Sequence, residues 1–319
     1  MTRYLVVKGH SGMGNRVTAL LQAIVYARLT GRRLVVDWND FRYSPGGSDV
    51  FRHLFDCPIA SGIEALPDGP SVVPAAWVDV REPMQAIRRR YGIRGGGEEI
   101  RSALSIDTAR LDYPEQVAVF FDFAFKFRNL ERHAARFPPA WRDLGGFELA
   151  RRLVSEHLEV SPSLLEAVAE FRQQRFGART IGVHARQTDN VEPRMLHKKK
   201  AVSLPALERA VEECVQAEPE ATLLVATDNR SVLEAFRARY ERTVWFEKWF
   251  PEDGGPLHGH KGCPDKLAMA GEALIEIALL SECDVLVHSS RSSFSRLARL
   301  LARNPSQRNV DVEPREGSV

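Results

Sequence analysis

The second half of the chain alternates between short apolar runs and amphipathic segments, and this pattern constrains the fold more than any other feature. From residue 180 onward, runs rich in Val, Ile and Leu are followed by segments whose apolar residues recur every three or four positions. Such alternation is typical of a parallel sheet whose strands are joined by right-handed helical crossovers. It predicts strands at 180–184, 222–226, 243–246 and 285–288, and helices at 204–215, 231–240, near 266–280 and at 293–302.

A similar unit opens the chain. Residues 4–7 form an apolar run, residues 9–15 form a glycine-rich turn, and the helical spacing that follows stops at Gly31 before a second apolar run at 34–36. Glycine is favoured just after a helix because it adopts left-handed backbone angles freely. The sequence therefore predicts an amino-terminal βαβ unit. Glycine and proline runs between residues 39 and 137 leave that stretch without definite elements.

The chain length indicates two domains. Its 319 residues suit two cores of about 150 residues each. Proline and glycine punctuate residues 137–146, and the end of the chain is polar. We therefore expect an amino-terminal α/β domain at 1–145, a carboxy-terminal domain at 146–303 and a polar tail at 304–319.

Composition excludes several classes of partner. The formal charge is only +2, with 44 basic and 42 acidic residues, so no strong field favours nucleic acid. The four cysteines show no CxxC spacing, which argues against a zinc site and suits a reducing compartment. The first apolar run is too short for a signal sequence or a membrane span. We therefore expect a cytoplasmic protein without integral membrane association.

Polar side chains follow three of the predicted strands, where ligands bind in open parallel sheets. An arginine in such a place matches phosphate oxygens with its planar fork, although a simple surface ion pair between Arg186 and Asp189 explains that segment equally well. The serine-rich turn suits either an anion or ordinary helix capping. The candidates are His184, Arg186 and Asp189 after the first strand, Asp228 after the second, and Ser292, Ser293 and Arg296 after the last.

Glu276 lies in an otherwise apolar helix, where an ionised carboxylate needs a partner. Two partners are open: the N1 and N2 hydrogens of guanine, or an arginine or lysine of the chain itself. The turn that holds Gly12, Gly14 and Asn15 lacks both the dinucleotide fingerprint and the phosphate loop, and its glycines suit close backbone approach to a ligand. No metal-binding motif is present.

Five segments together resemble the α1,6-fucosyltransferases, a family typified by the rhizobial nodulation fucosyltransferase and the enzyme that core-fucosylates N-glycans. The resemblance spans most of the chain, and the segments occur in the family's order. They are the turn at 11–15, the HxRxxD-type segment of His184, Arg186 and Asp189, the Ala-Thr-Asp at 226–228, the Pro-Leu-His that ends at His258, and the serine-bearing turn at 291–296.

The resemblance implies an α/β, GT-B-like fold in which two Rossmann-type domains face a cleft, with the parallel sheet of the carboxy-terminal domain binding the nucleotide and domain 1–145 on the acceptor side. It also implies fucose transfer from GDP-fucose to a carbohydrate-type acceptor, with inversion and without a metal or other cofactor. Arg186 would neutralise the β-phosphate, His184 and Glu276 would hold guanine, and Ser292 would touch the diphosphate. Asp189 and Asp228 would shape the pocket.

Four positions depart from the family pattern. Glu276 replaces the usual aspartate, and Gln187 stands where an arginine or histidine is common. Asn190 stands where one branch has lysine, and Arg194 stands where one branch has its presumed catalytic base. Glu192 is then the nearest carboxylate for that role, with Asp189 in reserve. These departures leave open transfer of another sugar from GDP, transfer to a non-saccharide acceptor, and a catalytically silent nucleotide-sugar-binding protein.

Overall fold

The chain forms two compact units, Met1–Ser161 and Pro162–Val319, each with its own five-stranded parallel sheet. The structure is a computed structural model, and it describes residues 1–40, 42–43, 48–93, 98–122, 124–187, 204–255, 257 and 260–313. Helices cover the sheets in both units, so the predicted α/β class with a parallel sheet in the carboxy-terminal half is confirmed.

The predicted βαβ unit forms the centre of the first sheet. Strand β1 (Tyr4–Lys8) pairs in parallel with β2 (Arg33–Asp37), and α1 (Met13–Thr30) connects them. Gly31 ends α1 with a φ of 65°, and its backbone N–H donates to the carbonyl of Ala27. Because the sheet order is β4-β2-β1-β6-β5, the apolar residues of β1 lie in the middle of the core.

Short elements fill the stretch that carried no clear sequence pattern. Trp77 anchors this region, since its buried indole donates a 2.7 Å hydrogen bond to the carbonyl of Leu104. Strands of two residues have no detectable alternation, which is why the sequence did not predict them. The elements are α2 (Phe51–Leu54), β3 (Phe55–Asp56), β4 (Ala60–Ser61), β5 (Val72–Val73), α3 (Met84–Arg90), α4 (Glu98–Leu104), β6 (Val117–Phe120) and α5 (Arg128–Glu131).

Helix α6 (Gly146–His157) and strand β7 (Glu159–Val160) belong to the first unit. The helix packs on α1 through buried residues that include Leu149 and Leu153, and β7 pairs antiparallel with β3. The structure thus differs from the expected boundary at 145/146, because the glycine pair before α6 starts a helix and does not separate two cores.

The second unit reproduces the predicted alternation to within two residues at each element boundary. Its sheet has the order β10-β9-β8-β11-β12, with every pair parallel. Strand β8 is at the centre and is buried along its length. The elements are α7 (Pro162–Arg175), β8 (Thr180–Ala185), α8 (Leu204–Ala217), β9 (Thr222–Thr227), α9 (Arg230–Arg239), β10 (Thr243–Val244), α10 (Lys266–Glu282), β11 (Val285–His288), α11 (Ser293–Leu301) and β12 (Arg308–Asp311).

The last strand corrects the expectation of a polar tail at 304–319. Residues Arg308–Asp311 pair with β11 at the edge of the sheet. Just before them, the amide of Gln307 donates to the carbonyls of Leu280, Ser281 and Cys283 and so closes the end of α10. A half-exposed edge strand with polar residues on both faces has no apolar alternation, so composition alone suggested a tail.

Replacement of Gly182 by Ala is expected to destabilise the second unit by about 1–3 kcal/mol, since overpacking a closed core costs this much. A Cβ at this central position of β8 would lie 2.8 Å from Cys283 Sγ and 3.0 Å from Leu280 Cδ2. Urea unfolding of both proteins measures the effect. Gly145→Ala is the control because its added Cβ meets no atom within 4 Å, and an equal loss in both variants would contradict the prediction.

Candidate functional site

The carboxyl edge of the second sheet brings together most of the predicted polar residues. Arg186 and Gln187 directly follow β8, and Asp228 directly follows the neighbouring β9. The backbone N–H of Gln187 donates to Asp228 Oδ1 at 2.8 Å, which fixes the two loops to each other. Arg186 and Asp228 are both half-buried. An arginine therefore stands at the end of the central strand, where open parallel sheets bind ligands, and its guanidinium suits phosphate oxygens.

His184 joins β8 to α11. Its Nδ1 lies 2.6 Å from the hydroxyl oxygen of Ser295, and its ring stacks on Phe294 with centroids 4.6 Å apart. Burial, reinforced by the charge of nearby Arg186, lowers the pKa of His184 to about 3. The imidazole is therefore neutral at ordinary pH. One of its nitrogens is engaged with Ser295.

The serine-bearing turn leads into α11, but the side chain at the N-cap position makes no capping hydrogen bond. Ser292 occupies the N-cap position, but its buried Oγ makes no hydrogen bond to any of the described residues. Ser293 is the first helical residue and is half-buried, and Arg296 donates to the carbonyl of Ser290 at 3.3 Å. An unpaired hydroxyl beside the free N–H groups of a helix start is a suitable arrangement for binding an anion.

Glu276 pairs with Lys248, a residue that the sequence did not single out. The Lys248 Nζ lies 2.5 Å from Glu276 Oε2, and each side chain is only 6% exposed. Burial raises the pKa of Glu276, while the lysine opposes that shift. Of the two partners left open for this carboxylate, the structure shows the internal cation. Nothing marked Lys248 in advance except its position within the aromatic run Trp245–Phe250.

His288 ends β11 and is fully buried, and neither ring nitrogen has a hydrogen-bond partner among the described residues. Burial lowers its pKa to about 4, with Arg299 adding to the effect. The pKa of a histidine in an unfolded chain is near 6.5. Between pH 6.5 and 4 the unfolded chain therefore binds a proton that the buried imidazole of the native state does not bind. The contribution of His288 to stability is therefore complete above pH 6.5 and falls as the solution is acidified.

Both the wild type and His288→Leu are compared at pH 7 and pH 5. We expect the unfolding free energy of the wild type to fall by about 2 kcal/mol more than that of the variant, because the variant lacks this proton linkage. Urea unfolding at the two pH values measures the difference. The control is replacement of the exposed His53 by Gln. Equal losses in wild type and His288→Leu would refute the assignment.

Gly12, Gly14 and Asn15 lie in the first unit, at the carboxyl end of β1. Gly12 is the N-cap of α1, and Ser11 before it has a φ of 64°, which is uncommon for a residue with a side chain. The turn is fixed from inside by Arg16, whose Nε donates to the carbonyl of Ser11 at 3.0 Å.

Two buried ion pairs near this turn were not predicted. Arg16 contacts Asp40 at 2.5 Å, and Lys8 pairs with Asp37 while also donating to the carbonyl of Val80 at 2.6 Å. Burial lowers the pKa of Lys8. The sequence shows only single charged residues in or beside the predicted strands and helix. It does not show that Arg16 pairs with Asp40, 24 positions away, or that Lys8 pairs with Asp37, 29 positions away.

Three predicted site residues, Asp189, Glu192 and His258, lie outside the described residues. Within the described ranges, no group of three or more His, Cys, Asp or Glu residues is arranged to hold a metal ion. The four cysteines are buried and free. Over the same ranges, none of the helices combines the length and apolarity needed to cross a bilayer.

Comparison with known proteins identifies the family. A sequence model described as Nodulation protein Z (NodZ) matches residues 145–315. Nodulation protein Z of Azorhizobium caulinodans is 28% identical over 325 residues, which covers 94% of this chain and 89% of that protein. The crystal structure of fucosyltransferase NodZ from Bradyrhizobium superposes with a TM-score of 0.63 at 19% identity, over 95% of this chain and 94% of that one.

A structure of NodZ α-1,6-fucosyltransferase soaked with GDP-fucose gives a TM-score of 0.63 at 20% identity, over 95% of this chain and 93% of that one. These structural similarities extend over nearly the whole chain, and they confirm the predicted GT-B-like fold class. Because the NodZ sequence model spans more than half of the 319 residues, the chain belongs to the NodZ family of glycosyltransferases.

Proposed function

We propose that the protein transfers fucose from GDP-fucose to a saccharide or a glycosylated small molecule, with inversion at the anomeric carbon and without a metal ion. Membership of the NodZ family supports the reaction class, and related NodZ structures were obtained with GDP-fucose and with GDP. We place the protein in the cytoplasm, which agrees with four free cysteines.

The observation that carries the proposal is the set of anion-binding groups at the carboxyl edge of the second sheet. Arg186, the unpaired hydroxyl of Ser292 and the start of α11 all belong to the ends of neighbouring strands or the turns after them. A departing nucleoside diphosphate develops negative charge that must be stabilised in place. Arginine, hydroxyls and helix N–H groups supply this stabilisation through fixed charge and dipoles.

The role of each residue follows from its place. Arg186 would bind the β-phosphate, Ser292, Ser293 and Arg296 the remaining diphosphate oxygens, and His184 and Glu276 the base. Asp228 would act by fixing the loop of Gln187. The proposal keeps Gly12, Gly14, Asn15 and His258 as donor contacts, and Glu192 as the base that removes the acceptor's proton, with Asp189 in reserve.

Thermal-shift titration of the chelator-treated protein with GDP, UDP and ADP tests the donor. We expect GDP alone to stabilise it, by about 2.7 kcal/mol at a hundredfold excess over Kd, because only the native state binds. Stabilisation by UDP or ADP instead, or by none of the three, would overturn the assignment. Release of fucose from GDP-fucose, abolished in Glu192→Gln while GDP still binds, separates an enzyme from a silent binding protein.

A further inference from the structure

Lys248 is held in a fixed position beside Glu276. Its Nζ contacts Glu276 Oε2 at 2.5 Å and lies 5.3 Å from the centre of the Phe250 ring. The charge of Lys248 also acts on Glu272, one helical turn before Glu276 on α10. Because the Lys248 side chain is only 6% exposed and is paired with Glu276, it has little freedom to point elsewhere.

The pair adjoins the edge that carries the candidate site. The charge of Lys248 acts on His184 at the end of β8, and the charge of Asp228 after β9 acts on Glu276. His184 lies in the central strand β8, which Arg186 and Gln187 directly follow, and Asp228 directly follows the neighbouring β9. A nucleotide whose phosphates contact Arg186 would have its base within reach of this corner of the unit.

Both partners keep hydrogen-bonding capacity that the described part of the chain does not use. A lysine ammonium has three N–H donors, and Lys248 gives one of them to Glu276. Glu276 Oε1 accepts no hydrogen bond from a described residue. Removing two charges from water is costly unless their remaining donors and acceptors are also satisfied. The unused donors and the unused acceptor stand next to each other.

Guanine presents the complementary pattern on one edge. Its O6 accepts, and the neighbouring N1–H and N2–H groups donate, whereas adenine has a donor at N6. A lysine beside a carboxylate therefore matches guanine. With adenine the lysine donor would instead face the donor at N6. Uracil would match at one oxygen and one N–H but would turn its second carbonyl oxygen towards the carboxylate.

We propose that Lys248 determines base specificity by donating to O6 of guanine while Glu276 accepts from N1–H and N2–H. This inference rests on the proposed GDP donor and adds a residue to its recognition. The proposal also accounts for the buried pairing of Lys248 with Glu276, because the two side chains would together form the surface that recognises the base.

Calorimetric titration with GDP, IDP and 6-thio-GDP tests the assignment. IDP lacks only the 2-amino group, and 6-thio-GDP replaces the O6 acceptor by a weaker one. We expect the wild type to bind 6-thio-GDP on the order of 10- to 100-fold more weakly than GDP, as for the loss of a charge-assisted hydrogen bond. In Lys248→Met this ratio should collapse towards one, while GDP still binds more tightly than IDP because the carboxyl group of Glu276 keeps an oxygen that accepts from N2–H. Comparing ratios across variants cancels the larger size of sulfur.

Lys126→Met, a change at an exposed lysine of the first unit, is the matched control and should keep both wild-type ratios. A wild type that binds GDP but does not distinguish 6-thio-GDP overturns the role of Lys248, and this result needs no variant to fold. A Lys248→Met protein of lowered Tm that keeps the wild-type ratio shows a purely structural pair. Lys248→Arg, which keeps its donors, should keep the discrimination. Failure of the wild type to bind GDP at all would instead refute the proposed donor and this inference with it.

Discussion

Replacing Arg186 by Lys should lower kcat by about 10²–10³-fold and weaken GDP binding, while thermal stability changes little. The magnitude is that of removing one preorganised donor from a developing charge. Lysine keeps the charge but offers a single ammonium in place of a planar fork, so it cannot bind two phosphate oxygens in the same geometry. Initial rates with GDP-fucose and a saccharide acceptor give kcat and KM, and titration with GDP gives the ground-state affinity.

The comparison needs an arginine that is charged but remote from the edge. Arg239 at the end of α9 is half-exposed and pairs with Glu212 on α8, so Arg239→Lys should behave as the wild type. If Arg186→Lys retains kcat within a few-fold of the wild type, the leaving-group role belongs to another residue. If KM rises while kcat is unchanged, Arg186 binds the substrate and the transition state equally well.

Removing the carboxylate of Asp40 should destabilise the first unit by about 3–5 kcal/mol, because Arg16 would then be a buried charge without its counterion. The Arg16 side chain is fully buried and contacts Asp40 at 2.5 Å, and Asp40 also accepts from the backbone N–H of Arg42 at 2.9 Å. Urea unfolding of Asp40→Ala measures the total loss. Hydrogen exchange of the α1 peptides shows whether the loss lies in the first unit.

Asp68 offers the matched exposed pair. Its side chain is fully exposed and lies 3.6 Å from the guanidinium of Arg81, so Asp68→Ala should change stability by no more than about 0.5 kcal/mol. Comparable effects in the two variants would mean that the Arg16 pair contributes no more than a surface contact. The turn before α1 would in that case be held by other groups.

The periodic helices and strands could be predicted from the sequence because each depends on the residues within it and directly beside it. The four predicted strands of the second unit and the helices between them were placed correctly, since runs such as Thr222–Thr227 combine apolar composition with clear flanking turns. The carboxyl-edge candidates His184, Arg186 and Asp228 followed from strand ends in the same way, and the structure brings all three to one edge of the sheet. Their functional roles stay predictions.

The remaining features depend on contacts between distant residues. His184 and Ser295 are 111 positions apart, and Lys248 and Glu276 are 28 apart, so no local pattern joins either pair. Helix α6 has an ordinary amphipathic sequence that would suit either unit, and only its packing on α1 assigns it to the first. The edge strand Arg308–Asp311 carries too few apolar residues to be recognised before its partner β11 is known.

The hydrogen bonds of Gln307 make two parts of the second unit depend on one short segment. The last carbonyls of α10 are closed by this side chain, and β11 obtains its second neighbour only from the strand that follows. Loss of that segment would expose the end of the helix that carries Glu276 and one edge of β11 together. The carboxyl edge of the second sheet is therefore stabilised from a strand that carries none of the candidate site residues.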